Sequence, residues 1–347
     1  MRNTHCLLTL ALGALASTSS MAQSSVTLYG AIDAGVGYTT NVTAKGDSVT
    51  TVNSGGFLPS IWGVSGTEDL GGGSKAFFKL ENSFNVDTGT TATATSFFNR
   101  FAHVGLAGSW GTLTIGRLGG VQYDYTVLGT YDPGYGATYG LASLNPVPIQ
   151  ILKINNSVKY QTAAYSGFSG TAMYSFGQES AGNSKAGRYI GGAIEYVNDK
   201  FRTRVTYEKM NGGITTVDQS NLSDKRLSAA ARYDIGGFEL YADYVKVKGD
   251  LPLSPLGEIY MGSVGYKFTP VIRLVAQAGQ YNLDAGDKVR YGSLLATYNL
   301  SKRTLLYSTV ARVINGNASN FGTAYLAVTS TRGQDQTTAA LGMRHAF

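Results

Sequence analysis

The side chains of this sequence that could do chemistry are charges spaced two residues apart. Lys79 and Glu81 alternate with Phe78 and Leu80, and Lys153, Asn155, Ser157 and Lys159 alternate with Ile154, Val158 and Tyr160. Arg202, Arg204, Arg226, Arg232, Lys267 and Arg273 recur at the polar phase of similar runs. This spacing aligns charges along one face of an extended chain. There they act as a fixed field on whatever passes, not as bond makers. Acid–base or nucleophilic catalysis would need a base, usually His, beside a nucleophile or an activated water. His103 and His345 are read at the opposite, apolar phase, and His5 lies in the leader described below. No catalytic histidine is therefore expected, and the chain reads as a non-enzyme without metal or cofactor. Gly71-Gly72-Gly73-Ser74-Lys75 lacks the spacing of a phosphate-cradling loop and joins two strands without a helix. Asp284 and Asp287 read as a turn, not a calcium loop.

The elements that must position these charges are strands. From Ser25 to Phe347 the dominant hydrophobic period is two: Val26, Leu28, Ile32, Ala34, Val36 and Tyr38 fall opposite Thr27, Tyr29, Ala31, Asp33 and Gly35. Sixteen strand candidates begin near residues 25, 60, 74, 97, 110, 153, 168, 187, 200, 224, 237, 257, 271, 288, 302 and 335. The breaks between them alternate between very short, as at Gly236-Gly237, and long and polar, as over Asn41–Pro59 or Asn315–Gln334. All 7 prolines lie in breaks, as they must if every strand has neighbours on both sides. No segment after the leader supplies the roughly 18 apolar residues of a membrane-crossing helix. Strands of about 9–11 residues cross a bilayer with a much weaker signal. An even strand count with short turns on one rim and long loops on the other predicts an all-β fold, a transmembrane antiparallel β-barrel of 16 strands. Tyr38, Tyr160, Tyr196, Tyr233, Tyr266, Tyr298 and Phe347 fall near strand ends at outward phase, as interfacial anchors.

Composition agrees. Charged residues make up 14% of the 347, below the roughly 25% of soluble domains. The formal net charge is +6, yet the basic residues are spread along strands and form no nucleic-acid patch. Residues 1–22 carry Arg2, a short apolar run Cys6–Ala16 and the small-x-small site Ser20-Met21-Ala22, the pattern of a cleaved secretory signal. The only cysteine leaves with it, so the domain expected over residues 23–347 has no disulfide.

One break departs from the rest. Between Leu118 and Lys153, residues 119–152 show no sustained alternation, and structureless loops of this length are usually functional. The stretch carries Asp124, Asp132 and Tyr135 and no basic residue. It reads either as a mobile outer loop or as a segment folded into the barrel to narrow it.

With these runs in view, the chain resembles the sixteen-stranded trimeric general porins of Gram-negative outer membranes, in particular their β-proteobacterial branch. The resemblance rests on SSVTLYGAIDAGVGY (Ser24–Tyr38), GTEDLGGGSKAFFKLE (Gly66–Glu81), NRFAHVGLAGSWGTLTIGR (Asn99–Arg117), NNSVKY (Asn155–Tyr160) and the terminal GMRHAF (Gly342–Phe347). It implies a homotrimer among outer-membrane lipid and lipopolysaccharide, whose water-filled channels pass small hydrophilic solutes and inorganic ions. It implies that the long loop lies inside each barrel as a constriction, with a basic cluster on the opposite wall. By position, Arg100 and Lys153 match basic wall residues and Asp132 an acidic loop residue. By phase, Lys79, Glu81 and Lys159 face the same lumen, with Asp124 and Tyr135 on the loop. Ile61 stands where relatives often carry Arg, and the glutamate that follows the loop aspartate in some relatives is absent. A weaker transverse field is expected. The expected function is passive diffusion with mild anion preference. The alternatives are a substrate-selective channel for small organic acids or sugars, or a barrel enzyme or adhesin. Arg117 shares the phase of Leu113 and Ile115 and is expected outside the lumen, at a subunit contact.

Overall fold

The computed structural model describes residues 25–123, 130–134, 153–252, 254–324 and 328–347. The expected leader lies outside them. The described strands are β1 (Ser25–Thr39), β2 (Val49–Ser54), β3 (Ser60–Gly71), β4 (Ser74–Phe84), β5 (Phe101–Gly108), β6 (Gly111–Leu118), β7 (Ile154–Thr162), β8 (Phe168–Ser175), β9 (Tyr189–Val197), β10 (Phe201–Asn211), β11 (Ser223–Ile235), β12 (Phe238–Gly249), β13 (Gly257–Lys267), β14 (Ile272–Leu283), β15 (Lys288–Asn299), β16 (Thr304–Ile314) and β17 (Gln336–Ala346). Each pairs antiparallel with its neighbours, and β1 pairs with β17 from Ala31↔Ala346 to Thr39↔Thr338, which closes the sheet into a barrel.

The seventeen strand segments make sixteen crossings. β2 covers the upper half of β1 (Ala34↔Ser54 to Thr39↔Val49) and β3 the lower half (Ser25↔Thr67 to Ala31↔Ile61). They are one crossing interrupted at residues 55–59. The expected outer loop Asn41–Pro59 is thereby corrected: it contains strand, and its last five residues leave the wall. Gly55, at φ 75°, starts the departure, and Pro59, which has no N–H for the ladder, ends it.

The alternation divides two media. On β14, Ile272, Leu274 and Ala276 are exposed while Arg273, Val275 and Gln277 are buried. On β10, Val205 and Tyr207 are exposed while Arg204, Thr206 and Glu208 are buried. Exposed apolar side chains circle the outside. The buried set faces inward, where excursions of the chain cover it. Phe321 and Ala324 pack on a cluster containing Val247, Ile259 and Val289, and Phe57 packs with Val275, Leu295 and Tyr307. The lumen is thus filled in part by its own loops. The anchors expected at strand ends (Tyr38, Tyr233, Tyr298 and Phe347) are exposed.

Three phases differ from expectation. The register Glu81↔Phe101 and Lys79↔His103 puts Phe101 and His103 on the charged, inward face, with Ala102 and Val104 outside. His103 is therefore not on the lipid side. β5 is short, with apolar or small residues on both faces, so hydrophobicity alone could not set its phase. Arg100 precedes β5 and lies outside its ladder, with its N–H donating to the Glu81 carbonyl. In β7, Asn156 adopts φ 53°, and the ladder shifts register between Gly116 and Leu118. This bulge turns Ile154 into the interior and Asn155 outward, while Ser157 and Lys159 keep the inward phase. Arg117 faces out as expected, paired with Ala102 and donating to the Asn99 carbonyl and to Asn155. His345 faces out and bonds Thr304.

The two faces tolerate charge differently. Leu294, at mid-strand and 64% exposed, should cost about 2–4 kcal/mol of bilayer stability when replaced by Arg. Equilibrium unfolding in lipid vesicles measures this. Ser293→Arg, one residue away on the inner face, is expected to cost much less.

Candidate channel constriction

The positive wall is built by β4 to β7. Lys79 and Glu81 sit two apart on the inward face of β4. The Glu81 carboxylate, 2% exposed, receives Lys79 Nζ at 2.9 Å and Arg100 Nε at 2.6 Å. The Tyr29 hydroxyl also donates to it at 3.0 Å. Buried carboxylates survive only when charge and hydrogen bonds compensate them, and this one has both. Arg100 Nη2 also donates to the Tyr123 hydroxyl at 3.1 Å, which ties the start of the long loop to the wall. Lys153 Nζ lies 3.2 Å from the Tyr123 ring centroid and 4.7 Å from that of Phe101. Lys79 sits 4.6 Å from the centroid of the same Phe101. Cations held over aromatic faces keep their charge at a fixed place. Lys159 lies on the same inward face, in register with Thr114 and Met173. On this wall, four cations face one carboxylate among the described residues. His103 joins the wall in register with Lys79, edge-on to the rings of Phe77 and Phe101.

The start of the long loop runs along the interior. Val121 N–H donates to the Tyr189 hydroxyl, Gln122 N–H to Glu208, and Arg204 to the Val121 carbonyl. Residues 130–134 reach further. The Tyr131 hydroxyl donates to Glu195 at 2.9 Å. Its ionisation is pushed up, first by burial and then by that carboxylate. Asp132 Oδ1 accepts from Gln277 Nε2 at 2.8 Å and from the Gly134 N–H. Arg273 donates to the Pro133 carbonyl at 2.8 Å. Glu195, Gln277 and Arg273 are all inward residues. Asp124 and Tyr135 lie outside the described residues.

Sequence reasoning missed a second inward segment. Phe57 and Leu58 donate their N–H groups to the Asp33 carboxylate at 3.2 and 2.9 Å, and the Tyr307 hydroxyl donates to it at 2.8 Å. Asp33 is fully buried, and Phe57 stacks beside Tyr307 in a buried cluster that also holds Val275 and Leu295. On β14, Arg273 and Gln277 thus receive Pro133 and Asp132, and Val275 between them shares a buried cluster with Phe57. The Gly-Gly-Phe-Leu-Pro run, an apolar pair between two breakers in a polar loop, was the available signal. Farther along the wall, Glu239 gathers Arg232, Lys267 and Arg273 at 3.1, 3.1 and 2.7 Å. All three cations have the inward phase expected of them.

A closed sixteen-crossing barrel with apolar outside, charged inside and chain folded against its inner wall defines an outer-membrane channel protein. The family model described as Gram-negative porin matches residues 9–319, and the chain belongs to that family. It is 32% identical over 349 residues to outer membrane porin protein 32 of Delftia acidovorans, covering 96% of this chain and 97% of the relative. It is 30% identical to an outer membrane porin protein of Bordetella pertussis, covering 95% and 96%. Among solved structures, the anion-selective porin from Comamonas acidovorans matches with a TM-score of 0.80 at 28% identity, covering 94% of this chain and 100% of that one. A trimer form of OmpT from Vibrio cholerae shares the fold, with a TM-score of 0.67 at 16% identity. The chain is a porin of the Gram-negative outer membrane.

If the Asp33-held segment borders the open passage, Phe57→Ala should raise single-channel conductance and admit larger neutral solutes in an exclusion series. Unchanged conductance and cut-off would show that the segment stands clear of the narrowest point.

Proposed function

We propose that this porin is a passive diffusion channel with mild anion preference, working as a homotrimer. Its neck lies between the β4–β7 wall and residues 119–152. Arg100, Lys153, Lys79 and Lys159 supply the positive side, with Glu81 offsetting part of their charge. Asp132, Asp124 and Tyr135 belong to the opposing loop. The observation that carries this reading is the excess of cations over Glu81 on that wall. A low-dielectric channel lined by one sign of charge concentrates the opposite ion. The anion-selective title of the Comamonas structure supports the sign, and the trimer form of a fold relative supports the assembly. Dipolar solutes would turn in the field between the cations and Asp132. Salt would weaken that field over a screening length of about 10 Å at 0.1 M.

The Lys79–Phe101–Lys153–Tyr123 stack favours a second reading, a channel selective for small organic anions. Saturation of current with rising solute concentration distinguishes it from linear passive flow. The porin family is not usually enzymatic, which supports a non-enzymatic channel.

In planar bilayers under a KCl gradient, the reversal potential should have the sign of chloride preference. Arg100→Ala combined with Lys153→Ala should move it toward zero. A cation-selective wild type would refute the sign, and an unchanged double variant would remove these two residues from the neck.

A further inference from the structure

The last strand carries a cation that stands apart from the β4–β7 wall. On β17, Arg344 lies between Met343 and His345, both exposed on the outer wall, so its own side chain is inward and half-buried. It is in register with Asp33 on β1 and with Leu305 on β16. Four inward arginines are each held by a carboxylate: Arg100 at 2.6 Å, Arg204 at 3.5 Å, Arg232 at 2.8 Å and Arg273 at 2.7 Å. The Arg344 side chain makes no such pair and no hydrogen bond among the described residues. Its Nε is buried without an acceptor there, while its two Nη nitrogens are not buried.

The neighbours explain why. Asp33, directly across the ladder, has both carboxylate oxygens occupied. Oδ1 accepts from the Tyr307 hydroxyl at 2.8 Å, and Oδ2 accepts from the Leu58 N–H at 2.9 Å. The adjacent inward positions are Ala31 and Ala346, paired with each other, whose methyl groups offer no acceptor. Leu305 is apolar and packs on the cluster that holds Phe57. Two charges act on Arg344 through space, the attraction of Asp33 and the repulsion of Arg100. An anion beside Arg344 would screen the two guanidinium groups from each other. Arg344 is also three residues from the C-terminal Phe347, toward the rim of short turns. Through Asp33 it flanks the inward segment around Phe57 and Leu58.

We propose that Arg344 is a separate anion-binding step of the passage, selective for planar oxyanions of the carboxylate class over chloride. The two Nη groups form a flat fork of N–H donors, and the two coplanar oxygens of a carboxylate match it. A spherical halide uses the charge of the fork but not its shape. A lysine at the same place would supply a point charge only. The inference rests on the anion-preferring reading above and names the class of solute that the channel holds longest.

The test is single-channel recording of the intact protein in planar bilayers, comparing wild type with Arg344→Lys and Arg344→Gln. Potassium formate is added in millimolar steps to a KCl bath, and reversal potentials are read in a KCl gradient. In wild type, formate should cut the chloride current at least twofold. Arg344→Lys should keep the wild-type reversal potential, which verifies a folded channel, and lose the block by formate. Arg344→Gln should lose the block and move the reversal potential toward zero. A cation-selective wild type would overturn the anion channel and this site with it. An anion-selective wild type that formate does not block would overturn the site alone. So would block that survives either substitution, or an unchanged reversal potential in Arg344→Gln.

Discussion

The structure depends on the pairing of its first strand with its last. Hydrocarbon offers no partner for a backbone N–H or carbonyl, so a sheet can cross a bilayer only when it has no edge. The ladder from Ala31↔Ala346 to Thr39↔Thr338 removes both edges at once, and Phe347 and Gly30 extend it with two further backbone bonds. Once the wall is closed, each alternate side chain must choose between lipid and interior, and the charged ones go inside or to the rims. The field of the channel follows from that sorting.

The interior then has its own demand. A barrel of this width leaves more space than wall side chains can fill. The chain fills it by sending segments inward and fastening them with buried polar groups. Asp33 fastens residues 57 and 58, Glu208 and Tyr189 fasten residues 121 and 122, and Gln277 and Arg273 fasten residues 132 and 133. The Gln277 and Arg273 fastening is on β14 and that of Asp33 on β1, while Lys79, Arg100, Lys153 and Lys159 stand on or beside β4 to β7. The proposed neck would therefore be asymmetric, with docked chain carrying Asp132 on one side and Arg100 and the lysines around it on the other.

Most of the wall was legible in the sequence because one rule, period two, governs every crossing. From β8 to β17 the observed starts fall within two residues of those expected from alternation. The rule failed where its contrast vanished. β5 offers little contrast between its faces, so alternation alone puts His103 on the outer side, where the register with Lys79 puts it inside. In β7 a single positive-φ asparagine, Asn156, reversed the phase of Ile154 and Asn155, and nothing in a hydrophobic pattern announces one extra residue. The split of the second crossing at residues 55–59 was hidden for a different reason. Phe57 and Leu58 find their apolar partners on β14 and β15, far away in sequence, and only the folded barrel brings those strands near. Arg100 precedes its strand and reaches Glu81 from outside the ladder, a position that alternation within β5 does not describe. The docking partners of the long loop (Glu195, Gln277 and Arg273) carry no local sign of that role.

The most direct test of the account is thiol modification in a chain whose only cysteine, Cys6, lies in the expected leader. Single cysteines at Lys159 and His103, and at their outward neighbours Val158 and Val104, would be exposed to small anionic and cationic methanethiosulfonates from the aqueous side while channel current is recorded. The account predicts that only positions 159 and 103 react and reduce current, and that the anionic reagent is faster at both. Equal reaction on the two faces, or faster modification by the cationic reagent, would contradict it.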